Sequence, residues 1–238
     1  MPDDVGFSFF ATLTSADPAD WRWQITGLAV SLLGLTAYFF GYVLAYRKPP
    51  TGSRSLAGML YVLGILASFA WYAMPFLPQP RFPGLLDLMA RPGEMNVWIG
   101  AATQTFGLYA GIRYFSYTLS STILNLSVTS RNFFAPERLL TTGVYGKVRH
   151  PMLMGDVVAH MGVALATGGV LTVALFPIYY LINETFVEIQ ERFVLLPKFG
   201  DAYRDYSRQV PRMMSRPLGL TFAFGMFLAI TTLAVAQP

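Results

Sequence analysis

Charge in this chain is confined to clusters, and the stretches between clusters are as long as a lipid bilayer is thick. Residues 23–46, 55–80, 157–183 and 217–238 contain no Asp, Glu, Lys or Arg, and residues 95–130 contain only Arg113. A helix crossing the hydrocarbon core needs about 20 apolar residues, and these stretches are rich in Leu, Ala, Val, Phe and Gly. Hydrophobic residues make up 54% of the chain and charged residues 13%, against about 25% charged in soluble domains. The predicted fold class is all-α: a polytopic membrane protein with about six transmembrane helices, two of them forming a helical hairpin. A net charge of +4 is too small to mark a nucleic-acid binder. Without cysteine there is no disulfide framework, iron–sulfur cluster or thiolate zinc site. Two histidines exclude a His-rich membrane metal centre, and no metal is expected. Asp3 and Asp4 stand where a secretory leader would be basic, so no cleaved signal is expected.

The basic clusters set the orientation. Arg47, Lys48 and Arg54 lie between the first two apolar stretches. Arg131, Arg138, Lys147 and Arg149 follow the third, and Arg192, Lys198, Arg204, Arg208, Arg212 and Arg216 precede the last. All three clusters share the cytoplasmic side only if residues 157–183 enter the membrane and return. Gly168-Gly169 stands where such a hairpin turns, because paired glycines accept positive φ and close helix approach. The spacing predicts antiparallel helices over about 155–167 and 170–196, the second protruding into the cytoplasm, with both termini outside. Three regions follow: N-terminal membrane helices (1–130), a core of loop, hairpin and tail helix (131–216), and a last membrane helix (217–238). Residues 49–52 form a cytoplasmic turn and the proline-rich residues 77–93 an external loop.

Polar chemistry concentrates in residues 131–155 and 183–216. Pro151 suits the first turn of a helix, where its missing N–H costs nothing. A helix starting there points free N–H groups and a positive dipole end into the cytoplasmic mouth. Arg149 adds a planar fork for a carboxylate or phosphate. Asp156 and His160 are one helical turn apart, at a depth similar to Glu184 across the hairpin. They form either a structural pair or part of a site, since ionisable groups in a membrane face a cavity or each other. Glu184, Glu188 and Glu191 share one face of the second hairpin helix. That face either pairs with Arg192 or Lys198, or receives an ammonium or sulfonium group. Tyr203, Tyr206 and Val210 suit a short helix lying on the membrane face, with the tyrosines as anchors.

Taken in order, Thr142-Gly143-Val144-Tyr145, Arg149-His150-Pro151, Gly155, Glu191, Phe199-Gly200-Asp201-Ala202-Tyr203-Arg204-Asp205-Tyr206 and Val210-Pro211 resemble the integral membrane methyltransferases of the isoprenylcysteine carboxyl methyltransferase and phospholipid methyltransferase group. The likeness covers about residues 136–212. It implies S-adenosylmethionine held in a cytoplasmic-facing pocket under the loop and tail around the hairpin. It implies cofactor contacts from Arg138, Leu139, Leu140, Tyr145, His150, Pro151, Met152, Leu153, Gly155 and Glu191. Leu153 stands where this group usually has tyrosine. Val187 stands where prenylcysteine enzymes carry a substrate-binding arginine, which argues against a prenylcysteine carboxylate.

The expected activity is methyl transfer from S-adenosylmethionine to a lipophilic acceptor, a lipid-like carboxylate, thiol or amine. Such an in-line displacement needs alignment and exclusion of water. Arg149 is expected to hold the cofactor carboxylate and Glu191 its cationic side, and Glu188 or Glu184 to take a proton from an amine acceptor. The acceptor is expected to arrive from the bilayer, between the third membrane helix and the hairpin. Membrane lipids are the other expected partners, no nucleic acid is, and the expected location is a bacterial inner membrane. Two alternatives remain. The Arg-His-Pro and Phe-Gly pattern also resembles the C-terminal half of NADPH-dependent membrane sterol reductases. A non-enzymatic carrier or scaffold would use Asp156, His160 and Glu184 as a proton path.

Overall fold

The computed structural model describes residues 22–47, 54–68, 70–128 and 138–235. The expectations for residues 1–21, for the turn at 49–52 and for Arg131 lie outside the described residues. Seven helices of more than one turn are present, and no strand occurs among the described residues. They are α1 (Arg22–Arg47), α2 (Arg54–Ser68), α3 (Met95–Val128), α4 (Pro151–Thr167), α5 (Val170–Gln190), α6 (Leu196–Gln209) and α7 (Arg216–Val235). A single helical turn, Ala70–Ala73, follows α2, and a five-residue π-turn, Glu191–Leu195, joins α5 to α6. Three stretches are long and apolar enough to cross a membrane, Arg22–Gly41, Val170–Gln209 and Arg216–Val235, while Pro151–Thr167 is apolar but shorter. Helix α3 is long enough to span, but Asn96, Gln104, Arg113 and its serines and threonines dilute its apolar character. Large side chains such as Leu33, Ile112, Leu181 and Leu220 are more than half exposed, which suits hydrocarbon and not water. The chain is an all-α integral membrane protein.

The hairpin is α4 and α5, turning at Gly168-Gly169 as the sequence predicts. Gly168 takes φ +70°, and the N–H groups of Gly168 and Gly169 close on Leu165 O and Ala164 O. The external loop seals this end. Phe82 N donates to Gly168 O at 3.1 Å and Val170 N to Pro80 O at 3.0 Å. Arg81 donates to Thr167 O at 2.6 Å and to Pro75 O at 2.9 Å, a cation at a helix C-terminus. The Gln79 amide group pairs with the Thr172 hydroxyl and backbone N–H.

Helix α4 runs along α3 with backbone against backbone. A Cβ added at Gly162 would lie 2.6 Å from Gly107 O and from Gly111, and one at Gly155 would lie 2.5 Å from Thr118 Oγ1. Small residues of this kind let membrane helices pack by close contact. The expected acceptor route between α3 and the hairpin is therefore wrong: the glycine seam leaves no width for a lipid. Helix α7 joins α3 through Thr103–Thr232 and Tyr114–Thr221 hydroxyl contacts of 2.8 and 3.0 Å. Helix α1 meets α5 where the Phe39 and Phe186 rings stack at 3.9 Å.

Candidate functional site

At the open end of the hairpin, Arg149, His150, Tyr203 and Arg212 converge on Glu191. Pro151 is the first residue of α4, as its ring predicts, with His150 as the N-cap. The chain entering α4 is held by the chain leaving α6: Arg149 N donates to Pro211 O at 2.9 Å and His150 N to Arg212 O at 3.1 Å. This clasp turns both side chains toward the end of α5. Glu191 Oε1 accepts from Arg149 Nε at 2.9 Å, His150 Nε2 at 2.9 Å and Tyr203 OH at 2.8 Å. Its Oε2 lies 3.3 Å from Arg149 Nη2 and 3.2 Å from Arg212 Nη2. The residue is 7% exposed, and charge-assisted bonds of this kind are the strong ones.

The electrostatics follow. Burial alone raises the Glu191 carboxyl, but the His150 contact and the bonds from Tyr203 and Arg149 outweigh it and hold it down at about 2. Burial pushes His150 below its ordinary value against the pull of Glu191, with Arg149 and Arg212 adding to the depression. A neutral imidazole beside a carboxylate carries its proton on Nε2 and donates it. Burial, then the charge of Glu191, raises the Tyr203 hydroxyl, so it stays a donor. Tyr206 donates to Tyr145 O at 2.6 Å, and burial pushes the Tyr145 hydroxyl up to about 12, a bond with Asn125 acting the other way.

The residues singled out in the sequence separate into three groups. Arg149, His150, Pro151 and Glu191 are brought together. Arg149 spends its remaining donor, Nη1, on Ser207 O and Val210 O at 2.5 and 2.8 Å. Its fork faces protein acceptors throughout. Tyr145 lies beside this group on the tail-bound loop. Arg138 is exposed and Leu139 and Leu140 half-buried on the approach to the Gly143–Gly146 turn. Met152 is 42% exposed. Leu153 packs on the core, and Gly155 lies in the α3 seam. The acidic face divides: Glu188 is exposed, while Glu184 is half-buried and accepts from Tyr180 at 2.9 Å. Besides Arg149 at Glu191, this face meets Arg212, 3.6 Å from Glu184 and 3.2 Å from Glu191. The Arg212 Nε is buried and has no hydrogen-bond partner among the described residues.

Deeper in the hairpin, Asp156 does not pair with His160 or Glu184. Its two oxygens accept from the hydroxyls of Tyr72 and Tyr179. No group of three or more His, Asp or Glu able to hold a metal occurs among the described residues.

Sequence reasoning missed Tyr203, Tyr206 and Arg212 as site residues. The tyrosines are 2% and 7% exposed, so the membrane-anchor expectation is corrected: they anchor the tail helix to the protein. Their i,i+3 spacing signalled a shared face but not what that face meets. The Gly107-xxx-Gly111 pair was the available signal for the α3 seam.

Residues 96–202 match the family model described as phospholipid methyltransferase. Methanethiol S-methyltransferase of Mycobacterium tuberculosis is 36% identical over 74 residues, which is 31% of this chain and 29% of that protein. The chain thus aligns with less than a third of that relative's length. No solved structure matches. The matched stretch is less than half of the chain; it takes in the hairpin and Arg149, His150 and Glu191, while Tyr203 and Arg212 lie beyond it, and over residues 96–202 the chain is similar to the phospholipid methyltransferase family.

Proposed function

We propose that the protein is a membrane methyltransferase that takes its methyl group from S-adenosylmethionine and passes it to a lipophilic acceptor. The observation that carries this reading is the coincidence of family and geometry: Tyr145, His150 and Glu191 all lie in the family-matched stretch and crowd one end of the hairpin. When bound, S-adenosylmethionine supplies an electrophilic sulfonium methyl.

The donor set fits such a molecule, though not in the roles first expected. Arg149, His150, Tyr203 and Glu191 satisfy one another and act as the frame that fixes the loop against the tail. Groups with spare capacity surround that frame. Arg212 has a partly exposed side chain and offers its guanidinium to the carboxylate of the methionine portion. Glu184 and exposed Glu188 offer acceptors to its ammonium group. The surface of Arg138, Leu139, Leu140, Tyr145 and Met152 offers apolar and aromatic contact to a nucleobase. The clustering of basic residues at this end supports a cytoplasmic mouth in a bacterial inner membrane. The relative's name supports a thiol among the acceptor classes.

Equilibrium binding of labelled S-adenosylmethionine to the purified protein in detergent tests the reading. Saturable binding that weakens about tenfold or more in Arg212→Ala, the scale of a lost charge-assisted bond, is expected. No saturable binding, with tight NADPH binding in its place, transfers the site to the reductase class.

A further inference from the structure

The hairpin is too short for the membrane it sits in. Helix α4 has 17 residues, about 25 Å at 1.5 Å per residue, against a hydrocarbon core of about 30 Å. Its first residue adjoins the charged Glu191 cluster, and Glu188 beside that cluster is exposed, so this end lies at the hydrocarbon edge or beyond it. Any tilt shortens the reach further. The Gly168-Gly169 turn therefore stops short of the opposite hydrocarbon edge, and the chain that covers the turn stops with it.

Residues 79–93 are tied to that level. Phe82 N donates to Gly168 O at 3.1 Å, and Leu85 N donates to Gln104 Oε1 at 2.8 Å. Irregular backbone at membrane depth is tolerated only where protein satisfies its polar groups. Here Pro80, Pro83 and Pro92 carry no N–H to satisfy. Gly84 N donates to Asp87 Oδ2 and Asp87 N to Gly84 O, both at 2.9 Å. The Arg81 guanidinium is spent on Thr167 O and Pro75 O. What the segment leaves uncovered is apolar: Leu86 and Met89 are each 96% exposed, more than any other large apolar side chain among the described residues. Helix α3 runs on from Gln104 to Met95, about 13 Å beyond the turn. On that outer stretch Trp98 is half-exposed and donates to Pro92 O at 2.9 Å, as suits a headgroup layer, and Arg91 pairs with Asp87 and Glu94.

We infer that residues 79–93 seat in the leaflet opposite the Glu191 cluster, with Leu86 and Met89 inserted among its acyl chains. The segment is then an interfacial anchor and not a water-borne loop. In water both side chains would stay hydrated; in the leaflet they are buried, as the apolar face of an interfacial element is. The anchor fixes the depth of a hairpin that cannot reach both surfaces by itself, and so holds the Glu191 end at its own surface. This goes beyond the methyl-transfer reading and does not depend on it.

The chain has no cysteine, so single thiol probes report cleanly. They are Met89→Cys, Leu86→Cys and, as the water-side reference, Gly93→Cys, an exposed position where an added Cβ meets nothing within 4 Å. Each full-length variant is labelled with bimane and reconstituted into vesicles of phosphatidylethanolamine and phosphatidylglycerol. Quenching by lipid carrying a nitroxide near the top of its acyl chain is compared with quenching by iodide present on both sides. Met89→Cys and Leu86→Cys are expected to lose most of their fluorescence to the nitroxide and little to iodide, and Gly93→Cys the reverse. The inference is overturned if the ratio of nitroxide to iodide quenching at either position equals or falls below that of Gly93→Cys. It is also overturned if neither quencher reaches the two probes; a disulfide-linked dimer of unlabelled Met89→Cys then assigns the face to a second copy of the chain.

Discussion

At the Gly168-Gly169 end of the hairpin, the chain at 79–82 bonds to the turn through two main-chain pairs, the Gln79 amide and Arg81, with no carboxylate taking part in these bonds. At the other end, cover comes from charge: two arginines, a histidine and a tyrosine close on one glutamate. Both ends need another segment to satisfy helix termini that a tight turn leaves open. Closure at the turn satisfies the termini and leaves nothing over. The charged closure leaves a surplus in the exposed Glu188 and the half-buried Glu184, beside an Arg212 that already pairs with Glu184 and Glu191. Surplus charge beside a finished structural knot is where a polar ligand can be bound without dismantling the fold.

Breaking the knot tests that contrast most severely. Glu191→Ala strands Arg149 and Arg212 and is expected to destabilise the protein by about 3–5 kcal/mol, the usual result of removing one partner of a buried pair, and to abolish S-adenosylmethionine binding. Thermal unfolding in detergent and ligand binding read the two effects. The same carboxylate sharpens the contrast through pH. Its folded-state value is depressed from 4.5 to about 2, so its contribution is fully present above about pH 4.5 and is lost as pH falls through about 2. Unfolding midpoints measured across that window should flatten in Glu191→Gln. The turn end should behave differently. Arg81→Met loses bonds to Thr167 O and Pro75 O, expected to cost about 2–3 kcal/mol, with S-adenosylmethionine affinity unchanged. An altered affinity would mean that the two ends are coupled. Gly200 bends α6 at φ 53°, ψ −127° with open space where a Cβ would go. Gly200→Ala therefore introduces backbone strain without a clash, about 1–2 kcal/mol, and should weaken the mouth alone. Smallest is Arg204→Ala on the outer face of α6, whose ion pair with Asp201 is mostly exposed. A change within about 0.5 kcal/mol is expected.

How much of this was legible in the sequence follows the same division. The hairpin could be read because its signals are local: a glycine pair, an uncharged run on each side, and basic clusters that must share one face. The start of α4 was readable from Pro151 for the same reason. The knot was not. Arg149 meets its acceptor 42 residues away, and a fork that suits a ligand carboxylate suits a glutamate side chain equally well. Tyr203 and Tyr206 present the same pattern whether the opposing surface is lipid or protein. The identity of that surface depends on residues 196–212 folding back, which no short-range pattern encodes. The lateral route failed because apolar periodicity reports which face is greasy and not how closely two backbones approach.

The π-turn at Glu191–Leu195 carries a consequence for how this protein tolerates change. A π-turn holds one residue more than an α-turn, and one residue of α-helix is worth about 100° of rotation. Deleting a single residue there would let the helix relax to regular winding and swing α6 by about a quarter-turn, carrying both tyrosines off the glutamate and the loop. Side-chain swaps along α6 are local injuries. A one-residue frame slip in front of it would unlatch the tail as a whole.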